Sequence, residues 1–495
     1  MKKNRLDPFV KFAYGFGSAA SGILGNAFGI FVLFYYQRIV GVDALLCGLV
    51  IFVALFFDAL LRPMIGILSD GFSSSLGRRH PFIYLSVVPL SLSYWALFHP
   101  PQSGSQLVVF LWFLCCALLV RGFTALFQLP YSSLAAELTD DYDERTVLSN
   151  LASVFAWAFG PLNYLLAFAV FLPDTKDYPQ GNLNPAGYSG LAVFGSVVIV
   201  VSILTSALAT QKIALAVKAA AWQTKKIAFT QLASNIRHAL GNYSYRMMTS
   251  ATFALYFGFS ISEYTSNYLS TYFWELFSKQ QRLFFIPVIC ATFLALLITG
   301  RLSRRIGKKQ IAIFGLILWV ATSPQIVYLR LLGLLPENGD PLLIYLLLIA
   351  SFFRCLGAMW AGSMIGALLA DVTDEFELET GYRQEGLLYA GVAFCGTLAS
   401  GVGALTVSAM IHLTGMSRNW LSGSITEAVA SRFALLSTGA ITVLVGLTIL
   451  YFYRNPLSRK THQETLERLV KIRDTKRLQW EPQTAQENAS TLANS

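Results

Sequence analysis

The sequence predicts an all-α membrane protein with twelve transmembrane helices in two six-helix halves. Of its 495 residues, 55% are hydrophobic and only 13% are charged, a composition that excludes disorder and an ordinary soluble fold. Uncharged runs such as Phe16–Gln37 and Ser189–Gln211 exceed the roughly 20 residues that a helix needs to cross the hydrocarbon core. A basic, amphipathic stretch in mid-chain, Lys212–Asn242, divides the spans six and six.

Apolar stretches bounded by charges, Gly or Pro define the spans in chain order. They lie near 12–37, 44–69, 82–99, 107–136, 147–172, 189–211, 244–273, 282–300, 311–330, 341–370, 384–413 and 430–453. The first is a retained helix, because its apolar run is longer than the roughly 7–15 residues of a signal-peptide core. The predicted organisation is a first half at 1–213, a cytoplasmic linker at 214–243, a second half at 244–455 and a cytoplasmic tail at 456–495.

Orientation follows from the distribution of Lys and Arg between alternate loops. With a cytoplasmic N-terminus, 26 of the 37 basic residues lie on the inner side, 7 on the outer side and the rest within spans. We therefore expect a multi-pass protein of a bacterial inner (plasma) membrane with both termini in the cytoplasm. The net charge of +10 then reflects topology, so no nucleic-acid partner is expected.

The sequence carries no pattern typical of an enzyme or a metalloprotein. All six cysteines fall in apolar segments without metal-ligand spacing, and no nucleophile-base constellation or phosphate-binding loop is present. We expect no catalytic residues, no metal site and no cofactor, apart from H+ or Na+ as a coupling cation. The expected partners are a small-molecule substrate and the lipid bilayer, and the protein is expected to be monomeric.

Three charged segments follow spans and indicate a family. The first is the loop that contains Gly66, Asp70, Gly77, Arg78 and Arg79, whose Gly/basic frame recurs at Gly300–Lys309 without the acid. The others are 129–146 and 369–390, at the ends of the fourth and tenth spans. Together they resemble the glycoside-pentoside-hexuronide:cation symporters, the melibiose-carrier-like family of the major facilitator superfamily. The resemblance covers residues 8 to 455 and implies a solute site near the bilayer midplane with alternating access.

The same segments gather charges of both halves at the cytoplasmic helix ends. Salt bridges between the halves could hold this side shut while the site faces outward, so we predict a cytoplasmic gate. An ordinary interfacial charge distribution is the alternative. The predicted gate residues are Asp70, Arg78, Arg79, Glu137, Asp140, Arg145, Asp371, Asp374, Arg383 and Glu385.

Ionisable and polar side chains inside the spans predict the substrate and coupling-ion cavity, because such groups face a cavity or a partner. Arg62 follows Asp58 by one helical turn, close enough for an ion pair. Aromatic residues are included because carbohydrate sites offer aromatic faces, and Thr397 because the resemblance places a family Lys there. The predicted cavity residues are Asp58, Arg62, Arg121, Gln128, Tyr131, Tyr256, Glu263, Asn267, Arg354, Trp360 and Thr397.

The second span departs from the family pattern at its cation site. The family carries Asp-Ala-x-x-Asp-Pro there, whereas this chain has Arg62 in place of the second acid. A guanidinium would neutralise Asp58 and repel a cation, so the Na+ site is expected to be degraded. By resemblance, Gly22 and Gln128 replace the acids that contact the sugar.

Three interpretations of this centre remain open. The Asp58–Arg62 pair could replace the coupling cation, so that the protein is an uncoupled facilitator; the same pair could also serve only to fix helix packing. Asp58 or Glu263 could titrate and couple H+ to transport. The arginines could instead bind an anionic group such as a hexuronate.

The sequence thus predicts a secondary active transporter of a small polar solute. The resemblance favours a sugar, glycoside or hexuronide as the solute, and H+ is a candidate coupling ion. The first alternative is a carrier of lysophospholipid-like amphipaths. The second is a non-transporting solute sensor, although the tail is too short for a signalling domain.

Overall fold

The computed structural model describes residues 6–72, 74–102, 105–139, 141–216, 238–381, 384–416, 425–457, 459 and 461–471. Helices account for nearly all regular structure in these ranges, and no strand is present in them. The α-helices, in chain order, are α1 Pro8–Gly17, α2 Ala19–Asn26, α3 Ala44–Gly71, α4 His80–Leu97, α5 Gln106–Leu138, α6 Tyr142–Leu166, α7 Pro185–Ala216, α8 Tyr243–Tyr268, α9 Ser278–Gln281, α10 Phe285–Ile306, α11 Lys308–Leu331, α12 Pro341–Thr380, α13 Glu385–Leu413 and α14 Glu427–Arg454.

The helices confirm the predicted all-α membrane fold. Ten described segments are long and apolar enough to cross a membrane. The other two predicted spans correspond to α4, which has 18 residues, and to α8, which carries a polar stripe. Residues 217–237 of the predicted linker and 472–495 of the predicted tail lie outside the described residues, so the division into domains stays a prediction.

Polar caps set the starts of several spans. The carboxylates of Asp43 and Asp340 and the side chain of Asn242 accept hydrogen bonds from the first backbone N–H groups of α3, α12 and α8. These bonds satisfy donors that have no partner inside the helix. Gly381 ends α12 with a φ of 75°, a conformation that glycine adopts without steric cost.

The first span is the least regular. Ser18 separates α1 from α2, and two π-helical segments, Ala27–Val32 and Tyr35–Val40, complete it. We call them π1 and π2. Such segments change the direction in which neighbouring side chains point, and they occur often at functional sites.

The two halves meet at one end of the bundle and separate toward the other. We call the end that carries residues 6, 216, 238 and 455 the terminal end, and the other the opposite end. Near the opposite end α3 packs closely on α13, so a Cβ at Gly48 would lie 2.6 Å from Ser408 Cβ. Toward the terminal end of the same two helices, a Cβ at Gly66 or Gly386 would meet no described atom within 4 Å.

Polar contacts between the halves close the opposite end. Arg38 Nε donates to Tyr272 Oη at 2.7 Å, and Asn267 Nδ2 donates to the carbonyl oxygen of Ile30 at 3.0 Å. The backbone N–H of Ser278 donates to an Asp174 carboxylate oxygen at 2.8 Å, and further bonds join Gln37 to Tyr268 and Asn182 to Thr271. These ten residues form the opposite-end cluster. Among the described residues, these hydrogen bonds between the halves all lie at the opposite end.

Candidate functional site

A buried ion pair lies in the middle of α3. Arg62 Nε donates to Asp58 Oδ1 at 3.0 Å, and Arg62 Nη2 donates to Asp58 Oδ2 at 3.1 Å. Asp58 is 1% exposed, whereas the Arg62 side chain is 30% exposed. Both carboxylate oxygens thus accept charge-assisted bonds from one planar guanidinium, the strongest geometry for such a pair.

The pair continues into a chain of hydrogen bonds across three helices. Arg62 Nη2 also donates to Gln128 Oε1 of α5 at 3.1 Å, and Gln128 Nε2 donates to Ser21 Oγ of α2 at 3.0 Å. Ser21 is a site residue that the sequence analysis missed. Gln128 therefore links the charged pair to the first span.

Arg121 of α5 faces the same carboxylate at a greater distance. Its Nη1 lies 4.0 Å from Asp58 Oδ2, and its guanidinium stacks 4.1 Å from the ring centroid of Phe28. Its Nε is buried and has no hydrogen-bond partner among the described residues. Since Arg62 already neutralises Asp58, this cluster of Asp58, Arg62 and Arg121 carries a net charge of about +1.

The second half contributes Glu263 and Arg354. A Cβ at Gly29 would lie 2.7 Å from Glu263 Oε2, so the carboxylate faces the first span across the interface between the halves. In the described part of the chain Glu263 makes no hydrogen bond or ion pair. Arg354 of α12 also makes no hydrogen bond or ion pair among the described residues. These two opposite charges of the second half are therefore not in contact with each other.

Three predicted cavity residues are engaged in other contacts. Tyr131 is 5% exposed, and its hydroxyl accepts a bond from Ser18 Oγ at 3.0 Å between the first span and α5, so its role in the cavity stays a prediction. Trp360 is also 5% exposed and packs against Phe314 between α11 and α12. Asn267 belongs to the opposite-end cluster. Their polarity or aromaticity was visible in the sequence, but the direction of their side chains was not.

Tyr256 and Thr397 occupy neighbouring positions on α8 and α13. The ring of Tyr256 lies 3.3 Å from where a Cβ at Gly396 would stand, and 43% of Tyr256 is exposed. Thr397 Oγ1 donates to the carbonyl oxygen of Ala393 in its own helix. Their predicted role in the cavity is untested and stays a prediction.

The predicted gate residues form ion pairs within each half in this state. Arg78 and Arg79 both bind Glu137, and Arg79 Nη2 also binds Asp70 Oδ1 at 3.1 Å. Arg145 donates to backbone oxygens of its own half, the nearer at 2.7 Å.

In the second half Asp371 pairs with Lys308 at 2.6 Å. His462 of the tail lies 3.4 Å from Asp371 and 3.2 Å from Asp374. Glu385 begins α13, and Asp140 and Arg383 lie outside the described residues. Pairing between the halves in an outward-facing state stays a prediction.

The sequence analysis missed the opposite-end cluster, Lys308 and His462. Arg38 was counted only as an outer charge, although an arginine beside a run of tyrosines was a usable signal. Within the described residues no group of three or more His, Cys, Asp or Glu side chains could hold a metal ion.

Comparison with known proteins indicates a transporter family. The family model described as MFS/sugar transport protein matches residues 13–459. An uncharacterized symporter of Synechocystis is 24% identical over an alignment that covers 93% of this chain and 96% of the relative. The isoprimeverose transporter of Lactiplantibacillus pentosus is 21% identical, covering 84% of this chain and 82% of the relative. The crystal structure of a mutant of the nucleoside transporter NupG matches the fold with a TM-score of 0.64 at 12% identity, over 90% of this chain and all of that one.

Proposed function

The chain belongs to the MFS/sugar transport protein family and is a multi-pass membrane transporter rather than an enzyme. From that premise we propose that it carries a sugar or glycoside by alternating access, and that transport is coupled to H+ and independent of Na+. The observation that carries the proposal is the bidentate Asp58–Arg62 pair. It rests also on the position of Glu263, a carboxylate of the second half that faces Gly29 of the first span.

The Asp58–Arg62 pair argues against Na+ coupling at this place. A Na+ ion needs oxygen ligands that are free to turn toward it, and both oxygens of Asp58 accept bonds from Arg62. The guanidinium is permanently charged and would repel a second cation at this distance. Of the three interpretations left open by the sequence, we therefore favour for Asp58 the one in which its ion pair with Arg62 takes the place of a bound cation.

Glu263 is the stronger candidate for the coupling group. It makes no ion pair among the described residues, and it faces Gly29 across the interface that must open and close. A carboxyl group without a fixed partner can change its protonation at low cost when access alternates. Proton binding to Glu263 would thus be linked to the closing of the opposite end.

The polar groups between the halves suit a hydroxylated solute. Gln128 and Ser21 offer amide and hydroxyl groups from the first half, and the 43% exposed Tyr256 offers an aromatic face from the second. The distribution of basic residues supports a cytoplasmic terminal end in a bacterial inner membrane. The state described would then be open to the cytoplasm, in a transporter that acts as a monomer.

Uptake into proteoliposomes tests this function. A radiolabelled panel of pentosides, glucosides and glucuronides should include a substrate that accumulates in response to a proton gradient, at equal rates in Na+ and in choline buffers. Glu263→Gln should abolish accumulation driven by the proton gradient but retain exchange of labelled for unlabelled solute. Arg301→Gln, on the exposed end of α10, is the matched control and should behave as the native protein.

Strict dependence of uptake on Na+ would contradict the assignment of Asp58. Full accumulation by Glu263→Gln would contradict the assignment of Glu263. Absence of uptake for the whole panel would contradict the sugar substrate.

A further inference from the structure

Arg121 carries unused binding capacity in the central site. Its Nε has no hydrogen-bond partner among the described residues, although the atom is buried. Leaving a charged donor unsatisfied in a low-dielectric site is costly, so such a group normally has a ligand when the protein is at work. The stacking of its guanidinium on Phe28 fixes the plane and leaves the edge of the fork available.

No protein carboxylate satisfies this guanidinium. Among the described residues Asp58 is the carboxylate that pairs with Arg121, and its oxygen is 4.0 Å away and already bonded to Arg62. Arg62 adds a second positive charge beside the same carboxylate.

We propose that Arg121 forms a subsite for an anionic group of the transported solute, a carboxylate or a sulfonate on a sugar. The inference rests on the proposed sugar transport and names the substrate class. The planar guanidinium offers two parallel N–H donors to such an anion.

The two arginines of the first half then have different tasks. Arg62 is occupied by Asp58 and Gln128, whereas Arg121 has the open fork. The surplus charge of about +1 in that cluster is neutralised only when the anion arrives. A neutral glycoside would leave the guanidinium unsatisfied, so the site should discriminate against it.

Ligand-induced thermal stabilisation of the purified full-length protein tests the subsite. The matched probes are methyl β-D-glucuronide and methyl β-D-glucoside, which differ in one carboxylate. We expect the glucuronide to give the same rise in melting temperature at about tenfold lower concentration. Arg121→Gln should remove this preference, Arg121→Lys should retain part of it, and Arg301→Gln should retain all of it.

The outcomes separate the subsite from the function. Equal stabilisation by both glycosides in the native protein would overturn the anionic subsite and leave sugar transport standing. If neither glycoside binds, the sugar assignment fails, and lysophosphatidylglycerol compared with lysophosphatidylcholine tests the charge preference alone. A preference for the anionic lipid that Arg121→Gln removes would support the subsite, and its absence would overturn it. If Arg121→Gln does not fold, the preference of the native protein and its reduction in Arg121→Lys decide the question.

Discussion

Replacing Arg62 by Gln should strongly destabilise the protein, because the buried Asp58 carboxylate loses its bidentate partner and keeps Arg121 only at 4.0 Å. Asp58 is 1% exposed and loses two charge-assisted bonds, of 3.0 and 3.1 Å. Removing one partner of a buried pair costs roughly 3–5 kcal/mol. Because the Arg62 side chain is 30% exposed, we expect the lower end, about 3 kcal/mol. Gln128 cannot replace the guanidinium, because its amide carries no charge.

The double variant Asp58→Asn with Arg62→Gln separates the charge effect from the loss of contacts. It removes both charges, so most of the lost stability should return, and the interaction term of the double-mutant cycle should be about 2 kcal/mol. Unfolding free energies come from titration with a denaturing detergent, followed by the fluorescence of the nine tryptophans. Arg301→Gln should stay within about 0.5 kcal/mol of the native protein. A double variant no more stable than Arg62→Gln would refute the reasoning.

Two further predictions concern the packing of α2 on α6 and the contact between the halves. Gly22→Asp should sharply lower the yield of folded protein, because a Cβ there would lie 2.9 Å from the backbone nitrogen of Gly160 in α6. Gly25→Asp is the control and should be tolerated, because a Cβ at Gly25 would meet no described atom within 4 Å. Equal yields of the two variants on size-exclusion chromatography would contradict this reasoning. Arg38→Ala removes the hydrogen bond to Tyr272 at the opposite end. In a variant whose only cysteine is the buried Cys47, this substitution should raise the rate of maleimide labelling about tenfold. An unchanged rate would show that Arg38 does not help to close the opposite end.

Hydropathy predicted the spans because a bilayer accepts only long apolar helices, but it did not predict where each helix ends. The tenth span was expected to stop near residue 370, whereas α12 continues to Thr380. The additional residues include the charged Asp371 and Asp374, which continue the helix beyond the apolar stretch. Hydropathy reports the membrane boundary, and a cap such as Gly381 reports the helix boundary.

The part of the site that lies within one helix was predictable, and the part between helices was not. Asp58 and Arg62 are one turn apart, so their spacing alone implied the pair. The bond between Ser21 and Gln128 depends on how α2 and α5 are rotated about their axes, which no local pattern fixes. Gly22 shows the same limit, because the resemblance placed it at a sugar-contacting position, whereas it lies in the crossing of α2 and α6.

The two ends of the bundle differ in the kind of contact that holds them, and this difference sets the order of the transport cycle. At the terminal end Asp70 is 47% exposed and its bond to Arg79 is worth little in water, so ion pairs there can be exchanged between partners at low cost. At the opposite end Asn267 and Thr271 are 1% exposed, and separating them from their partners requires water to enter. The empty carrier should therefore rest open toward the terminal end.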